Sequence, residues 1–140
     1  MSDCIFCKIV AGESEGSLVY RDETCAAFMD VQPINPGHLL VVSVKHAAYL
    51  SDLNEEDGMR MFVVAQRLAA SLRRSGAECE GVNLFLADGE AAGQEVFHVH
   101  LHVIPRYRGD GFGFTFPAAY GQRPTRQELN EIAENIRRVL

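Results

Sequence analysis

No apolar run in the sequence is long enough to cross a bilayer. Runs such as Leu39–Val42 and Met61–Ala65 fall far short of the ~20 residues that a span needs. The start, Met1-Ser2-Asp3-Cys4, lacks a basic stretch followed by an apolar one. No secretory leader is therefore expected, and a cytoplasmic location is. Positive charge is also scarce: 13 Lys+Arg against 19 Asp+Glu leave a net charge of −6. Broad binding to nucleic acid rests on a basic surface that neutralises phosphates, so a polymeric nucleic-acid partner is not expected. A single small phosphate ligand in a local pocket remains compatible with this charge. Repeats, linkers and low-complexity tracts are missing too.

What is present fits one globular domain over residues 1–140, with 47% apolar and 23% charged residues. A chain of this length buries roughly two thirds of its unfolded surface and needs no disulfide scaffold. The four cysteines are Cys4, Cys7, Cys25 and Cys79. In a cytoplasmic protein they are not expected to pair. Cys25 and Cys79 stand alone and read as small buried apolar residues. Cys4-x-x-Cys7 reads as a redox pair, a metal half-site or two core thiols. A redox pair normally opens a helix after a strand, and no strand precedes Cys4.

Short β-rich segments dominate the pattern. Ser17–Tyr20 and Cys25–Met29 read as a hairpin around a polar turn, and His38–Val44 as a buried strand. The segment Val31–Gly37 holds Pro33, Pro36 and Gly37 and reads as a loop. Leu53–Arg74 is the clearest helix, with Leu53, Met59, Phe62, Val63, Leu68 and Leu72 at roughly helical spacing. Asp52 or Asn54 would cap its start and Gly76 its end. Gly81–Ala87 reads as a strand, Asp88–Glu95 as a tight loop, and Val96–Ile104 as a strand stopped by Pro105. Arg106–Pro117 is rich in glycine and aromatics without a clear period. Arg126–Leu140 reads as an amphipathic terminal helix. The class is α+β, with a mainly antiparallel sheet of about five strands and the long helix across one face.

The five histidines carry most of the information: His38, His46, His98, His100 and His102. His98-Val99-His100-Leu101-His102-Val103-Ile104 alternates strictly. On a strand, the three imidazoles would share one face at about 6–7 Å spacing, with Val99, Leu101 and Val103 turned into the core. Three buried imidazoles each need partners, so a merely structural role explains them poorly. Imidazole ligates metals or works as nucleophile, acid or base near neutral pH. The loop before the strand holds Gly93 and Gln94, and such a loop can aim N–H donors at a phosphate oxygen.

These residues resemble the histidine triad (HIT) nucleotide hydrolases and transferases. The likeness rests on His98–Ile104, on Gly93-Gln94, on Pro33-x-x-Pro36-Gly37-His38 and on Ile5–Ile9, and covers roughly residues 4–108. It implies the HIT fold, with a C-terminal helix at 125–140 as an extension. It also implies that His100 is a nucleophile that attacks the α-phosphorus of a nucleotide and forms a nucleotidyl-histidine. His102 would contact the phosphate or leaving group, and His98 completes the catalytic triad. Asp30 would bind the ribose hydroxyls, Phe28, Val31 and Leu40 would wall the base, and His38 would line the site. Gly93, Gln94 and Glu95 would flank the phosphate. Two departures bear on the substrate: Ala87 stands where relatives often carry Asn or Gln, and Glu95 where they often carry Ser or Thr. A hydroxyl can donate to a phosphate oxygen and an ionised carboxylate cannot.

The resemblance further implies a structural zinc ion held by Cys4, Cys7, His46 and His98, the first pair forming one knuckle of a Cys2His2 site. It also suggests a homodimer with the long helix and the Gly81–Ala87 strand at the interface. The favoured activity is phosphoramidase-like, on AMP or GMP conjugates. Hydrolysis of dinucleoside polyphosphates is the alternative within the enzyme class. Two further readings are a catalytic metal on the three triad histidines and a non-catalytic nucleotide-binding protein. Adjacent i, i+2 and i+4 positions of a flat strand converge poorly on one ion, which weakens the first. A retained nucleophile, which binding alone does not require, weakens the second.

Overall fold

The computed structural model describes residues 3–140. Met1 and Ser2, the first residues of the stretch read above as lacking a leader pattern, lie outside the described residues. Five strands form one antiparallel sheet in the order β1-β2-β3-β5-β4. They are β1 (Leu18–Arg21), β2 (Cys25–Met29), β3 (Leu39–Ser43), β4 (Gly81–Phe85) and β5 (His100–Arg106). The helices are α1 (Ile5–Ala11), α2 (Glu55–Leu72) and α3 (Arg126–Arg137).

Strand alternation distributes residues to the two faces. Cys25, Ala27, Leu39, Val41, Val99 and Val103 pack with Met61, Val64, Ala65, Leu68 and Leu72 of α2. Each of these larger α2 side chains stabilises the fold by about 1.5–3 kcal/mol when fully buried. Ala26, Phe28, Leu40 and Val42 turn the other way and meet Phe6, Ile9 and Val10 of α1. His100 and His102 lie on this second face, opposite Val42 and Leu40 of β3.

Several sequence expectations shift. The α2 helix starts at Glu55, capped by Asn54, whose side chain accepts from the Glu56 N–H at 2.8 Å. Of the apolar residues at helical spacing, Met59 and Phe62 are exposed. Helix α2 carries apolar residues on more than one side, so spacing alone does not phase it. Strand β5 starts at His100 rather than Val96 and runs through Pro105 to Arg106. Its pairing with β3 ends at Val103. Beyond that point the strand has one neighbour, and a proline is tolerated there. Helix α1 is absent from the sequence reading. It has seven residues and no side-chain cap, and Gly12 ends it at φ 79°. Cys79 is only partly buried. Helix α3 opens with a capping box between Thr125 and Glu128 and buries none of its residues.

Candidate functional site

Along one face of β5 and the residue pair before it, three histidines face three different sets of partners. His98 precedes the strand, where the Val99 N–H donates to the Ala47 carbonyl at 2.7 Å. The His98 ring donates from Nε2 to the Ser43 carbonyl at 2.8 Å. A carbonyl only accepts, so the hydrogen sits on Nε2 and the Nδ1 lone pair is free. That nitrogen lies 3.4 Å from Cys4 Sγ and 3.5 Å from Cys7 Sγ. His46 Nδ1 lies 3.4 Å from Cys7 Sγ.

The four ligand atoms of Cys4, Cys7, His46 and His98 all fall within 4.8 Å of one another. Tetrahedral zinc with bonds of about 2.3 Å to sulfur and about 2.0 Å to nitrogen requires S···N edges of about 3.5 Å. The observed spacings and donor types are therefore compatible with zinc. Helix α1 supplies the geometry: Cys4 caps it and Cys7 sits in its first turn. Burial and the neighbouring Cys4 raise the Cys7 thiol above its ordinary pKa. A bound cation reverses that balance.

His100 has a different role open to it. Its Nδ1–H donates to the His98 carbonyl at 2.7 Å. The Nε2 lone pair is then unprotonated, as a nucleophile requires. The ring packs edge-on against Phe6, with centroids 5.1 Å apart, and against His102 at 5.0 Å.

His102 is set by a residue 64 positions away. The Ile34 N–H donates to His38 Nδ1 at 3.0 Å. The His38 hydrogen is thereby placed on Nε2, which donates to His102 Nδ1 at 2.8 Å. His102 is left with Nε2–H as its outward donor. Burial pushes the His102 pKa down to about 4, with His100 and His38 adding to the effect. Burial also lowers His38, partly opposed by Asp30. Both rings are neutral at pH 7. Asp30 Oδ2 lies 3.5 Å from His38 Nε2 and 3.9 Å from His102 Nδ1. This trio groups ligand-type atoms, but the Ile34 N–H leaves His38 Nε2 no lone pair for an ion. Among the described residues no ligand cluster unites His98, His100 and His102.

A cleft of about 490 Å³ opens over His100 and His102. Of the residues expected to hold a nucleotide, Asp30, Val31, His38, Leu40, Gly93 and Glu95 line it. Phe28 does not; it is buried under Phe6, with ring centroids 5.3 Å apart. Gln94 is not in the wall either. Its Oε1 accepts from the Gly89 N–H at 2.8 Å, and its Nε2 donates to the Ala48 and Val96 carbonyls at 2.8 and 3.1 Å. The amide expected to reach phosphate is instead spent on closing its own loop, whose backbone turns through Gly89 and Gly93 at φ 95° and 89°.

The sequence reading missed three wall elements: Phe6, Phe85 with its strand neighbours, and Phe112 with Phe114. The last pair belongs to the aperiodic glycine-aromatic stretch. Asp110 anchors that stretch by taking Arg106 Nε and Nη2 at 2.6 and 2.9 Å and Asn35 Nδ2 at 2.8 Å. The Arg106 guanidinium holds the Asp110 carboxyl well below its usual range.

Comparison with known proteins agrees with this arrangement. The HIT domain family model matches residues 11–109. Protein hit of Bacillus subtilis is 38% identical over 136 residues, covering 96% of this chain and 92% of its own. A crystal structure of a HIT family protein from Bacillus anthracis superposes with a TM-score of 0.89 at 37% identity, over 99% of this chain and 97% of that one. A Zn-bound histidine triad family protein from Mycobacterium smegmatis gives 0.77 at 38%, over 93% and 89%. A histidine triad nucleotide-binding protein from Candida albicans gives 0.85 at 29%, over 97% and 96%. No helix among the described residues is long and apolar enough to cross a membrane. With the alternating histidines, the five-stranded sheet and a family match over most of its length, the chain belongs to the HIT domain family.

Proposed function

We propose that the protein is a nucleotidyl hydrolase or transferase acting at the α-phosphate of small purine nucleotides, with phosphoramidase-like activity on AMP or GMP conjugates. The observation that carries this reading is the 2.7 Å contact from His100 Nδ1 to the His98 carbonyl. It places the hydrogen of the neutral ring on Nδ1, so that the lone pair is on Nε2, in a ring that lines an open cleft.

In the first step Nε2 forms a bond to the α-phosphorus, and the bond from phosphorus to the leaving group breaks. The departing atom keeps the electron pair and takes a proton from water in the cleft. The His100 ring becomes cationic, and the His98 carbonyl facing Nδ1–H stabilises it. In the second step a water oxygen bonds to phosphorus, Nε2 regains its electron pair, and the water's proton passes to solvent. One difficult displacement becomes two easier ones.

His102 Nε2–H donates to a phosphoryl oxygen in this scheme, and His38 holds it in the donating tautomer. Asp30 accepts from the ribose hydroxyls. Val31 and Leu40 contact the base, and Phe28 acts at one remove by backing Phe6. Zinc on Cys4, Cys7, His46 and His98 would tie α1 to the start of β5 and supply stability rather than chemistry. Residues 1–140 are read as one domain, with the motif-bearing part at about 4–108, working in the cytoplasm. The exposed Met59 and Phe62 of α2 and the β4 edge suit a homodimer, which light scattering tests.

The decisive experiment is mass spectrometry of protein quenched during turnover of an AMP phosphoramidate. A nucleoside monophosphate attached to His100 is expected. Turnover with no adduct on any histidine, under conditions where a control phosphohistidine survives, would overturn the covalent scheme.

A further inference from the structure

The donor state of His102 is set from a loop, residues 31–37, that forms no helix or strand. Asn35 is the one buried residue of that loop, at 4% exposure. A buried polar side chain needs partners, and Asn35 has two. Its Nδ2 donates to the Pro105 carbonyl at 2.9 Å and to Asp110 Oδ2 at 2.8 Å. Both partners only accept, so the amide fits only one way round. The two contacts tie the loop to the end of β5 and the turn beyond it.

The backbone around Asn35 brackets His38. The His38 N–H donates to the Asn35 carbonyl at 3.1 Å, and the Ile34 N–H donates to His38 Nδ1 at 3.0 Å. The second contact places the His38 hydrogen on Nε2 and leaves His102 with its outward Nε2–H. Ile34 adjoins Asn35, so anchoring the Asn35 side chain also fixes the direction of the Ile34 N–H.

Asp110 is a firm anchor. Its side chain is 3% exposed. Its oxygens accept from Arg106 Nε and Nη2 at 2.6 and 2.9 Å, from Asn35, and from the Tyr107 and Phe112 N–H groups at 3.3 and 3.2 Å. An arginine fork with three further donors leaves the carboxylate no free rotation. The same guanidinium reaches Asn83 Oδ1 of β4 at 2.7 Å and the Phe112 carbonyl. Asn83 and Phe112 line the cleft, whereas Asn35, Arg106 and Asp110 do not. One buried carboxylate outside the cleft therefore joins its aromatic wall to the loop that orients His38.

We infer that Asn35 and Asp110 are positioning residues for His102: they clamp the loop so that the Ile34 N–H stays on His38 Nδ1 and His102 keeps its outward hydrogen. The effect on turnover rests on the reading of His102 as a donor to the phosphoryl oxygen; the effect on the tautomers needs no substrate. The two residues differ in reach. Asn35→Ala leaves Asp110 its other donors, so the wall stays in place and kcat falls with KM nearly unchanged. Asp110→Ala releases Phe112 as well, so kcat falls and KM rises.

The test combines nitrogen NMR of the imidazole rings with turnover of an AMP phosphoramidate. In wild type, Nδ1 of both His38 and His102 should resonate as an unprotonated acceptor and Nε2 of both as a protonated nitrogen. In Asn35→Ala and Asp110→Ala the two tautomers of each ring should mix. The expected fall in kcat is about tenfold or more, since a small misplacement caused far from the chemistry can cost up to about 10²-fold. Asp22→Ala is the control for general loosening. Asp22 pairs with Arg60 of α2 at 2.7 Å and accepts from the Tyr20 hydroxyl at 2.6 Å, and none of the three lines the cleft. It should lower the melting temperature and leave both tautomers and kcat as in wild type. Wild-type tautomers opposite to those stated would overturn the inference even if no variant folds. Unmixed tautomers in folded Asn35→Ala, or equal mixing in Asp22→Ala, would overturn it too. If wild type turns over no AMP conjugate and forms no adduct on His100, the enzymatic reading fails, and the tautomers alone decide whether the clamp exists.

Discussion

His98 serves two neighbours at once: its carbonyl accepts from His100 Nδ1 at 2.7 Å while its ring Nδ1 faces Cys4 Sγ at 3.4 Å. The backbone of this one residue orients the proposed nucleophile, and its side chain belongs to the candidate metal site. The two roles separate by mutation. Cys4→Ser should lower bound zinc and melting temperature, since a structural ion contributes folding energy directly. Turnover per folded molecule should fall only modestly, because the His98 carbonyl is still in place. Elemental analysis with calorimetry checks this. Less than a tenth of an equivalent of zinc in wild type, from metal-replete expression without chelators, would leave Cys4 and Cys7 as ordinary thiols.

His100→Ala should reduce turnover by several orders of magnitude, on the order of 10³ or more, as removal of a covalent nucleophile does elsewhere. Binding of AMP by calorimetry should persist, because Asp30, Val31 and Leu40 still line the cleft. His100→Gly with added imidazole should recover part of the rate. Near-normal turnover in His100→Ala would rule out the nucleotidyl-histidine.

How far these features could be read from the sequence depends on their range. Strand β2 matches the sequence reading residue for residue, and β3 and β4 differ from it only at their ends. Each is a short apolar run bounded by turn residues. The inward placing of Val99 and Val103 also follows from period two. Helix α1 escapes the sequence reading because seven residues contain no periodic window, and the side chain of its N-cap, Cys4, makes no capping hydrogen bond to the helix. The sequence reading starts β5 too early because Val96 and Phe97 are strand-forming residues adjoining the alternating run, whereas the backbone at Val99 bonds to Ala47 outside the ladder. The link from Ile34 through His38 to His102 joins residues 64 or more apart. No local pattern carries such a link. Resemblance placed His38 near the site, and only the fold shows which nitrogen holds its hydrogen.

That chain predicts an acid limb in stability. The folded pKa of His102 is depressed to about 4 from an ordinary 6.5, and that of His38 is lowered as well. Between those values the unfolded chain binds more protons than the folded one. Stability therefore rises with pH through this window and is lost as pH falls from about 6.5 towards 4. For His102 alone the full shift corresponds to about 3 kcal/mol, a large part of a typical domain's 5–15 kcal/mol. Denaturant midpoints between pH 4 and 7 should show a steep slope that is shallower in His102→Gln. A variant slope equal to that of wild type would show that His102 does not titrate as the buried neutral ring described here.

Gln94 provides the sharpest contrast between position and contact. Sequence reasoning makes it a phosphate donor, whereas the structure uses all its hydrogen bonds to close the loop that carries Gly93 and Glu95. Gln94→Ala strands the Gly89 N–H and the Ala48 and Val96 carbonyls around a buried site. Unpaired buried polar groups cost about 1–3 kcal/mol each when water cannot reach them. A loss of about 2 kcal/mol overall should lower the melting temperature by roughly 4–8 °C. Gln94→Glu should be at least as damaging, because its carboxylate meets two carbonyl oxygens where an amide donated. In both variants the loop loosens, so kcat should fall more than KM rises. If Gln94→Ala instead keeps the wild-type melting temperature and raises KM alone, the amide reaches the nucleotide directly, and its loop contacts give way when substrate binds.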